Sequence, residues 1–424
     1  PVVLTGHQPL FFHPGILAKY LAAAHLNERL TPAGADPWTG AAVVIDHDQT
    51  DPFTIAAPAP DARGLPAAVT AELAEPLPPG VASLAARARK SHEKPRITPE
   101  KPRVSPETER ALTNAARTID AFATEPSAAV QAAHANAALL GAHHRARLFT
   151  ATDLARTAAF AAAARHLASH PESLHAYNNA GRAHPEAGIP ALDLSDQSDP
   201  EIPLWRLDDK GRRRRAHASD VEPALKDGSL RPRALLLTAL LRALACDLFI
   251  HGTGGGLYDR VTDRWLAHAP PFPEPLAHAA TDAAPAAVVT ADVFLPSEPA
   301  ETPDAAEVSR LRWRAHHARH HPGEIGDAVA QTERDRLAGR IRGVRSRAER
   351  LARYRELHAF LESYRRERAP AIDRLDTEAD HAARLLAWRE ANAGRAWPAF
   401  LYPPATLDGL DTAVRRAVLG EPGG

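Results

Sequence analysis

A chain of 424 residues that is 44% hydrophobic and 24% charged holds enough apolar material for a large buried core, and its length points to about two or three structural units. A net charge of −1 supplies no bulk attraction to nucleic acid or to an anionic membrane, so neither is an expected partner. One cysteine excludes an internal disulfide framework, and no apolar run approaches the roughly 20 residues needed to span a bilayer.

The N-terminal segment lacks the basic and apolar stretches of a secretory signal, and a start at Pro1 fits loss of an initiator methionine, so the expected location is the cytoplasm. Val2–Leu4 reads as a short strand. Pro14–His25 reads as a helix, with Ile16, Leu17, Tyr20, Leu21 and Ala24 at helical spacing, and Val43–Ile45 as a second strand. Together they make a βαβ opening. Residues 57–110 are rich in Pro, Ala, Lys and Arg. Within them, 91–106 has the composition of a solvated connector, with a mobile lid as the alternative.

Residues 107–172 look helical, with Thr152-Asp153 offering an N-cap before an Ala-rich stretch, Leu154–Ser169. Residues 173–235 look loop-rich and carry the polar run Tyr177-Asn178-Asn179. Asp208–Gly211 is a hairpin-type turn followed by Arg212–Arg215, a solvated rim or, alternatively, a contact for an acidic ligand. Leu230–Ala245 reads as an apolar helix with Arg231 and Arg233 at its start, where cations are electrostatically misplaced unless a ligand answers them. Asp247–Ile250 is the next buried strand. Cys246, just before it, reads as a small core residue. Val288-Val289 and Val293–Leu295 suggest further sheet pieces. The alternation of strands and helices predicts an α/β fold with a largely parallel sheet.

From about residue 305 the character changes. Leu337, Ile341, Val344, Ala348 and Leu351 recur at four and three residues, and Tyr354, Leu357, Leu361 and Tyr364 continue the stripe, as in a coiled-coil-like helix. Residues 331–368 hold twelve Arg against six Asp/Glu, a net +6 that leaves −7 for the rest. This reads either as a basic arm or as a solvated face laced with Glu–Arg pairs. The expected division is a core over 1–300 with an inserted region at about 57–172, an Arg-rich helical arm over 301–370, and a C-terminal helical segment over 371–424.

Three polar clusters close apolar runs, the position where open parallel sheets bind ligands. Thr5-Gly6-His7-Gln8-Pro9 places a Gly beside a His, and His13-Pro14-Gly15 then offers a helix start whose N–H groups suit an anion. Asp46-His47-Asp48 can orient or deprotonate an amine. Asp46, Asp48 and Asp51 are the carboxylates a metal ion would need, with chance Asp enrichment at a strand end as the alternative; no His or Cys spacing supports zinc, no residue is assigned to a metal, and a metal requirement stays open. In His251–Asp259, four glycines within six residues imply a backbone lying against a ligand, although neither the P-loop nor the dinucleotide fingerprint is present. The histidine doublets at 143–144, 316–317 and 320–321 read as solvated helix residues.

Taken together, Thr5–Gln8, Asp46–Asp48, Leu230–Arg233 and His251–Tyr258 resemble, in the same order, the short motifs of the bacillithiol biosynthesis cysteine-adding enzyme (BshC) family. Against that family, His7 stands where Gln is usual, Ile45 where Glu is common before the Asp, and Gly255-Gly256 replaces a Pro-Gly-Glu type ending. The resemblance implies a Rossmann-like, nucleotidyltransferase-related core with helical insertions and a coiled-coil arm. It also implies a ligase or transferase that condenses an amino acid (cysteine in the family) with a small anionic sugar derivative, beside an ATP or ADP site.

On that reading Asp46, His47, Asp48 and His251 are catalytic. Thr5, Gly6, His7, Gln8, Gly252, Gly254, Gly255, Gly256 and Tyr258 hold the nucleotide. His13, Tyr177, Asn178, Arg231 and Arg233 hold the substrate. The expected partners are a small molecule and a second copy of the chain, meeting through residues 331–368. The alternatives are a nucleotidyltransferase-like enzyme that handles a nucleotide, and a non-catalytic ligand-binding, dimerising homologue.

Overall fold

The apolar run at the N-terminus forms strand β1 (Val3–His7), followed by α1 (Pro14–Leu30) and β2 (Ala41–Val44), which lies parallel to β1. Pro14 occupies the first helical turn, and His13 caps it by accepting a hydrogen bond at Nδ1 from the Gly15 N–H at 3.1 Å. The computed structural model describes residues 2–31, 40–60, 66–78, 80–82, 84–98, 104–274, 276–293, 303–393 and 397–420.

Strands β3 (Thr54–Pro60), β4 (Pro66–Ala74) and β5 (Ser91–Thr98) form a separate sheet in that order. Helices α2 (Pro106–Ala121) and α3 (Ala128–Leu140) cover it, around Phe53, Leu73, Leu112 and Ile119. The connector or lid expected over 91–106 is therefore corrected for 91–98. Antiparallel pairing with β4 orders a segment whose composition gave no strand signal. Residues 99–103 of that reading lie outside the described residues.

The strands of this sheet, β3 to β5, went unread in the sequence, and so did the next one. β6 (Arg147–Thr150) joins the edge of the main sheet beside β2. The helix expected over 154–169 is two, α4 (Ala151–Ala155) and α5 (Ala158–Ser169), because Thr157 turns out of helical geometry and caps the second. Thr150 with Asp153, rather than Thr152, forms the capping box of the first.

Next come α6 (Pro171–Ala183), β7 (Glu201–Leu207), β8 (Arg213–His217), α7 (Val221–Asp227), β9 (Leu230–Pro232), α8 (Ala234–Leu244), β10 (Leu248–His251), α9 (Thr253–His268), α10 (Leu276–Thr281) and β11 (Ala286–Val288). The stretch read as loop-rich thus holds an antiparallel sheet, β8-β7-β9, whose β7–β8 hairpin turns at Gly211 with φ +70°. Arg231 belongs to β9, not to a helix start.

The main sheet runs β11-β10-β1-β2-β6, every neighbouring pair parallel. β1 is central. The chain first winds outward through β2 and β6, then returns to the other side of β1 with β10 and β11. Leu4, Val43 and Phe249 from the sheet pack with Leu237 and Leu241 of α8. Near the C-terminus, α15 (Pro404–Leu419) packs on α1.

Between β11 and α15 lie α11 (Ala305–Ala318), α12 (Ala328–Gly339), α13 (Arg347–Glu367) and α14 (Ala369–Ala393). The chain divides into two compact units. One is Pro1–Ala59, Ala68–Val293 and Arg395–Gly424; the other is Pro60–Ala67 and Phe294–Gly394. The second unit has its own small core at Leu361, Tyr364 and Ile372, and the Tyr364 hydroxyl donates to the Ala318 carbonyl at 2.9 Å.

The single seam expected from Leu337 to Tyr364 is broken between α12 and α13, where Gly343 adopts φ +82°. Leu351 and Tyr354 of that stripe are exposed. Several arginines of the +6 segment meet carboxylates, among them Arg336 with Glu333 at 2.6 Å and Arg340 with Glu356 at 3.0 Å. No helix among the described residues is long and apolar enough to cross a membrane.

Candidate functional site

At the carboxyl ends of β1, β2 and β10 the first unit encloses a cavity of about 450 Å³. This is the crevice where the winding of a parallel sheet reverses. Its wall is built from far-apart segments: Gly6, His7 and Gln8 at the end of β1, His13 capping α1 and Lys19 within it, and His251 to Gly255 with Tyr258 around the start of α9. Val43, Leu237, Leu241 and Phe249 supply an apolar side.

Close approach explains the glycines. A Cβ on Gly6 would sit 2.2 Å from Val43 Cγ1 and 2.9 Å from the Val43 carbonyl oxygen. A Cβ on Gly255 would sit 2.2 Å from His251 Nδ1, and one on Gly256 2.3 Å from Val288 Cγ2. The Gly-rich run is helical: α9 begins at Thr253, so Gly254, Gly255 and Gly256 belong to its first turn, with none at positive φ. Gly252 is the N-cap and brings no side chain to the exposed N–H groups.

Three helix starts meet at the cavity. α1 contributes Gly15 and Ile16, α8 contributes Ala234, and α9 contributes Gly252 to Gly255. Each directs the positive end of its dipole there. Lys19 adds a cationic side chain that is only 4% exposed, and its amino group donates to the Gly6 carbonyl. Burial lowers its pKa to about 7. His7 is pushed to about 3, first by burial and then by the nearby Lys19, so it stays neutral through the physiological range. Its Nδ1 lies 3.2 Å from the Gln8 carbonyl, which assigns the ring proton to Nδ1 and leaves the other nitrogen as an acceptor.

His251 is held from behind. Its Nε2 lies 3.0 Å from Asp259 Oδ2, an ion-pair distance without hydrogen-bond alignment. Asp259 in turn pairs with buried Arg242 at 3.1 Å, and Arg242 reaches Asp263 at 2.7 Å and the Ala284 carbonyl at 2.6 Å. No carboxylate lines the cavity among the described residues.

The Asp46-His47-Asp48 cluster is not in this cavity. Alternation along β2 and just beyond it sends Val43 and Ile45 to the cavity, whereas Val44 and Asp46 line a separate hollow of about 400 Å³ with Thr150, Thr152 and Arg156. Asp46 is buried and accepts from the Thr152 N–H at 3.2 Å. His47 Nδ1, 3.9 Å from Asp46 Oδ1, has no hydrogen-bond partner. Asp48 lies 3.6 Å from Arg213 and accepts from the Gln49 N–H at 2.6 Å.

Other expected contacts serve the scaffold. Thr5 is fully buried and ties β1 to β10 by donating to the Ile250 carbonyl at 2.8 Å. Tyr177 packs edge-on against Trp265, and Asn178 exchanges two hydrogen bonds with the Leu192 backbone at 2.7 and 3.0 Å. Arg231 donates to Thr152 Oγ1 and to the Gly228 and Leu230 carbonyls. Arg233 sits over the Trp205 ring and pairs with Glu201 at 2.7 Å. The misplaced charges near α8 are answered by protein groups. The Arg212–Arg215 run is likewise engaged: Arg214 with Arg206 clamps Asp220, and Arg215 pairs with Glu201. Burial pushes the Cys246 thiol up to about 12.

The sequence reading missed Lys19 and Asp259. Lys19 had a visible signal: it interrupts an otherwise apolar stretch, Ile16 to Ala24, on the face that α1 buries. Asp259 had none, because only the first two turns of α9 carry it back to His251. No known family model matches the chain, and no curated protein is significantly similar to it.

Proposed function

We propose that this is an α/β enzyme of the Rossmann-like class that binds the anionic part of a nucleotide or sugar derivative in this cavity and joins an amine to it, in the manner of the BshC-like ligases and transferases. Counted along the chain, the main sheet has the order 3-2-1-4-5, which supports the Rossmann-like reading. The observation that carries the functional reading is the cavity wall itself: three helix starts, a buried lysine and no carboxylate among its described residues. Such a wall favours an anion.

Each residue then has a task. Gly252, Gly254 and Gly255 let the ligand approach the N–H groups that open α9. Gln8 and neutral His7 offer hydrogen-bonding groups at the end of β1. His251, steadied by Asp259, is the base. As the amine nitrogen forms its bond to an activated carboxyl carbon, the leaving group departs with its bonding electrons and the amine proton passes to His251. ATP or ADP is the proposed nucleotide. A cytoplasmic setting and pairing of two chains through 331–368, where Leu351 and Tyr354 are exposed, belong to the same reading.

Thermal melting against ATP, ADP, cysteine and glucosaminyl-malate, with and without Mg²⁺, tests it. A ligand at 100 times its Kd should add about 2.7 kcal/mol. The expected result is a shift with nucleotide that cysteine or the malate glycoside enlarges, and that Gly255→Ala removes. A flat panel sinks the assignment. A nucleotide shift indifferent to every amine favours a nucleotidyltransferase-like enzyme, and binding without turnover of any of these compounds favours a non-catalytic homologue.

A further inference from the structure

Lys19 counts toward the anion-favouring wall, but neither the resemblance nor the proposed chemistry gives it a task. Its side chain is 4% exposed, lines the cavity and rests on a single backbone carbonyl, that of Gly6. An ammonium group has three N–H donors, and one such bond leaves two directed elsewhere. Isolated buried charges are costly, and proteins offset them with a partner or by neutralisation.

The surrounding groups offer no described counter-charge. Across the cavity stand His7 on β1, His13 at the start of α1, and His251 and Tyr258 on the β10–α9 side. Tyr20 is its neighbour on α1, with its ring centroid 5.8 Å from the amino group. The segment after β11, whose Ala291 carbonyl would lie 2.9 Å from a Cβ on Gly15, carries Asp292. The cavity thus combines helix-start N–H groups with a buried amine, both suited to oxyanions. A tetrahedral group with several oxygens can meet both at once, which a planar carboxylate does less well.

We infer that the Lys19 amino group is the charge partner of a phosphate group in this cavity, and that it takes up a proton from solvent as the phosphate enters. This rests on reading the cavity as an anion site. The lowered pKa, about 7, agrees with it: near neutrality the empty site holds the amine partly neutral, and an adjacent phosphate draws it to the ammonium form. Phosphate binding then weakens as the pH rises above about 7, because a proton must be acquired with each ligand.

Inorganic pyrophosphate is the probe, with binding followed by calorimetry from pH 6 to 9 in two buffers of different ionisation enthalpy, and malate as the carboxylate comparison. Wild-type protein should bind pyrophosphate more tightly than malate and take up protons from the buffer on binding above pH 7. Lys19→Met should bind pyrophosphate at least tenfold more weakly. Lys19→Arg, permanently charged, should lose the proton uptake. The inference is overturned if Lys19→Met binds as wild type does, if malate is preferred, if proton uptake persists in both variants, or if pyrophosphate does not bind wild-type protein. Pyrophosphate binding that needs Lys19, beside no response to any amine, would reject the condensation reading alone.

Discussion

At the residue scale, burial without charge compensation sets the behaviour of the site. The Lys19 amine is harder to protonate in the fold than in the unfolded chain, with a pKa of about 7 against 10.5. Both states hold the neutral amine above 10.5, so nothing is lost there. As pH falls toward about 7 the unfolded chain gains the proton first, and stability drops by ~1.4 kcal/mol per pH unit, levelling below 7. Lys19→Met should therefore raise the melting temperature at pH 7, with the gain shrinking toward pH 10.5. His7 works the same way lower down. Its folded value of about 3 against 6.5 costs stability as pH falls through that interval. His7→Gln should flatten the acid limb of the melting curve between those values; an unchanged limb would show that His7 is not the group held neutral. Gly6→Ala should cost about 1–3 kcal/mol in chemical unfolding, because its Cβ would meet Val43 backbone as well as side chain.

At the scale of elements, α9 couples the cavity to the core. Its first turn forms part of the wall, and a little farther on Asp259 ties His251 to Arg242 of α8. Arg242 and Asp259 are each 5% exposed, so removing one partner strands a buried charge. Arg242→Met should destabilise by about 3–5 kcal/mol in denaturant unfolding. Asp259→Asn should lower turnover more than ligand binding if His251 is the base we propose, since it frees that ring. The elements also mark the limits of sequence reading. β1, α1, β2 and β10 were legible because each is an apolar run with a clear stop: His13-Pro14 before α1, Gly6 near the end of β1 and Gly252 after β10. β6 and β9 are only four and three residues long, and their strand character comes from pairing with β2 and β7. The same holds for β5, ordered by β4.

At the scale of the whole molecule, the first unit is closed by its two chain ends. α15 lies on α1, with Asp411 2.6 Å from His25 Nε2 and 3.5 Å from Arg145, while Arg145 also meets Glu28 at 2.6 Å. Leu407, Leu410 and Val414 of α15 are buried in this packing unit. Truncation before Pro404 should uncover the apolar surface of α1, which carries the cavity's Lys19, and should abolish cooperative melting and pyrophosphate binding together. A truncated chain that still binds pyrophosphate would show that α15 does not support the site.

The sequence by itself determined the α/β class, the parallel core and the short segments that close the cavity, because hydrophobic period, glycine and proline act over a few residues. It also brought His7, Gln8, His13, Gly252 and His251 forward as site residues, since strand ends are local features. The tertiary structure alone decided which of the polar clusters meet. Asp46 leaves the cavity because successive residues along β2 point to opposite faces of the sheet, and a one-residue offset decides which face a carboxylate reaches. Arg231 and Arg233 leave it because backbone carbonyls and Glu201 answer them first. Lys19 enters it because α1 packs beside β1 with no described acid in reach, and no pattern within the sequence shows what a buried amine will lack.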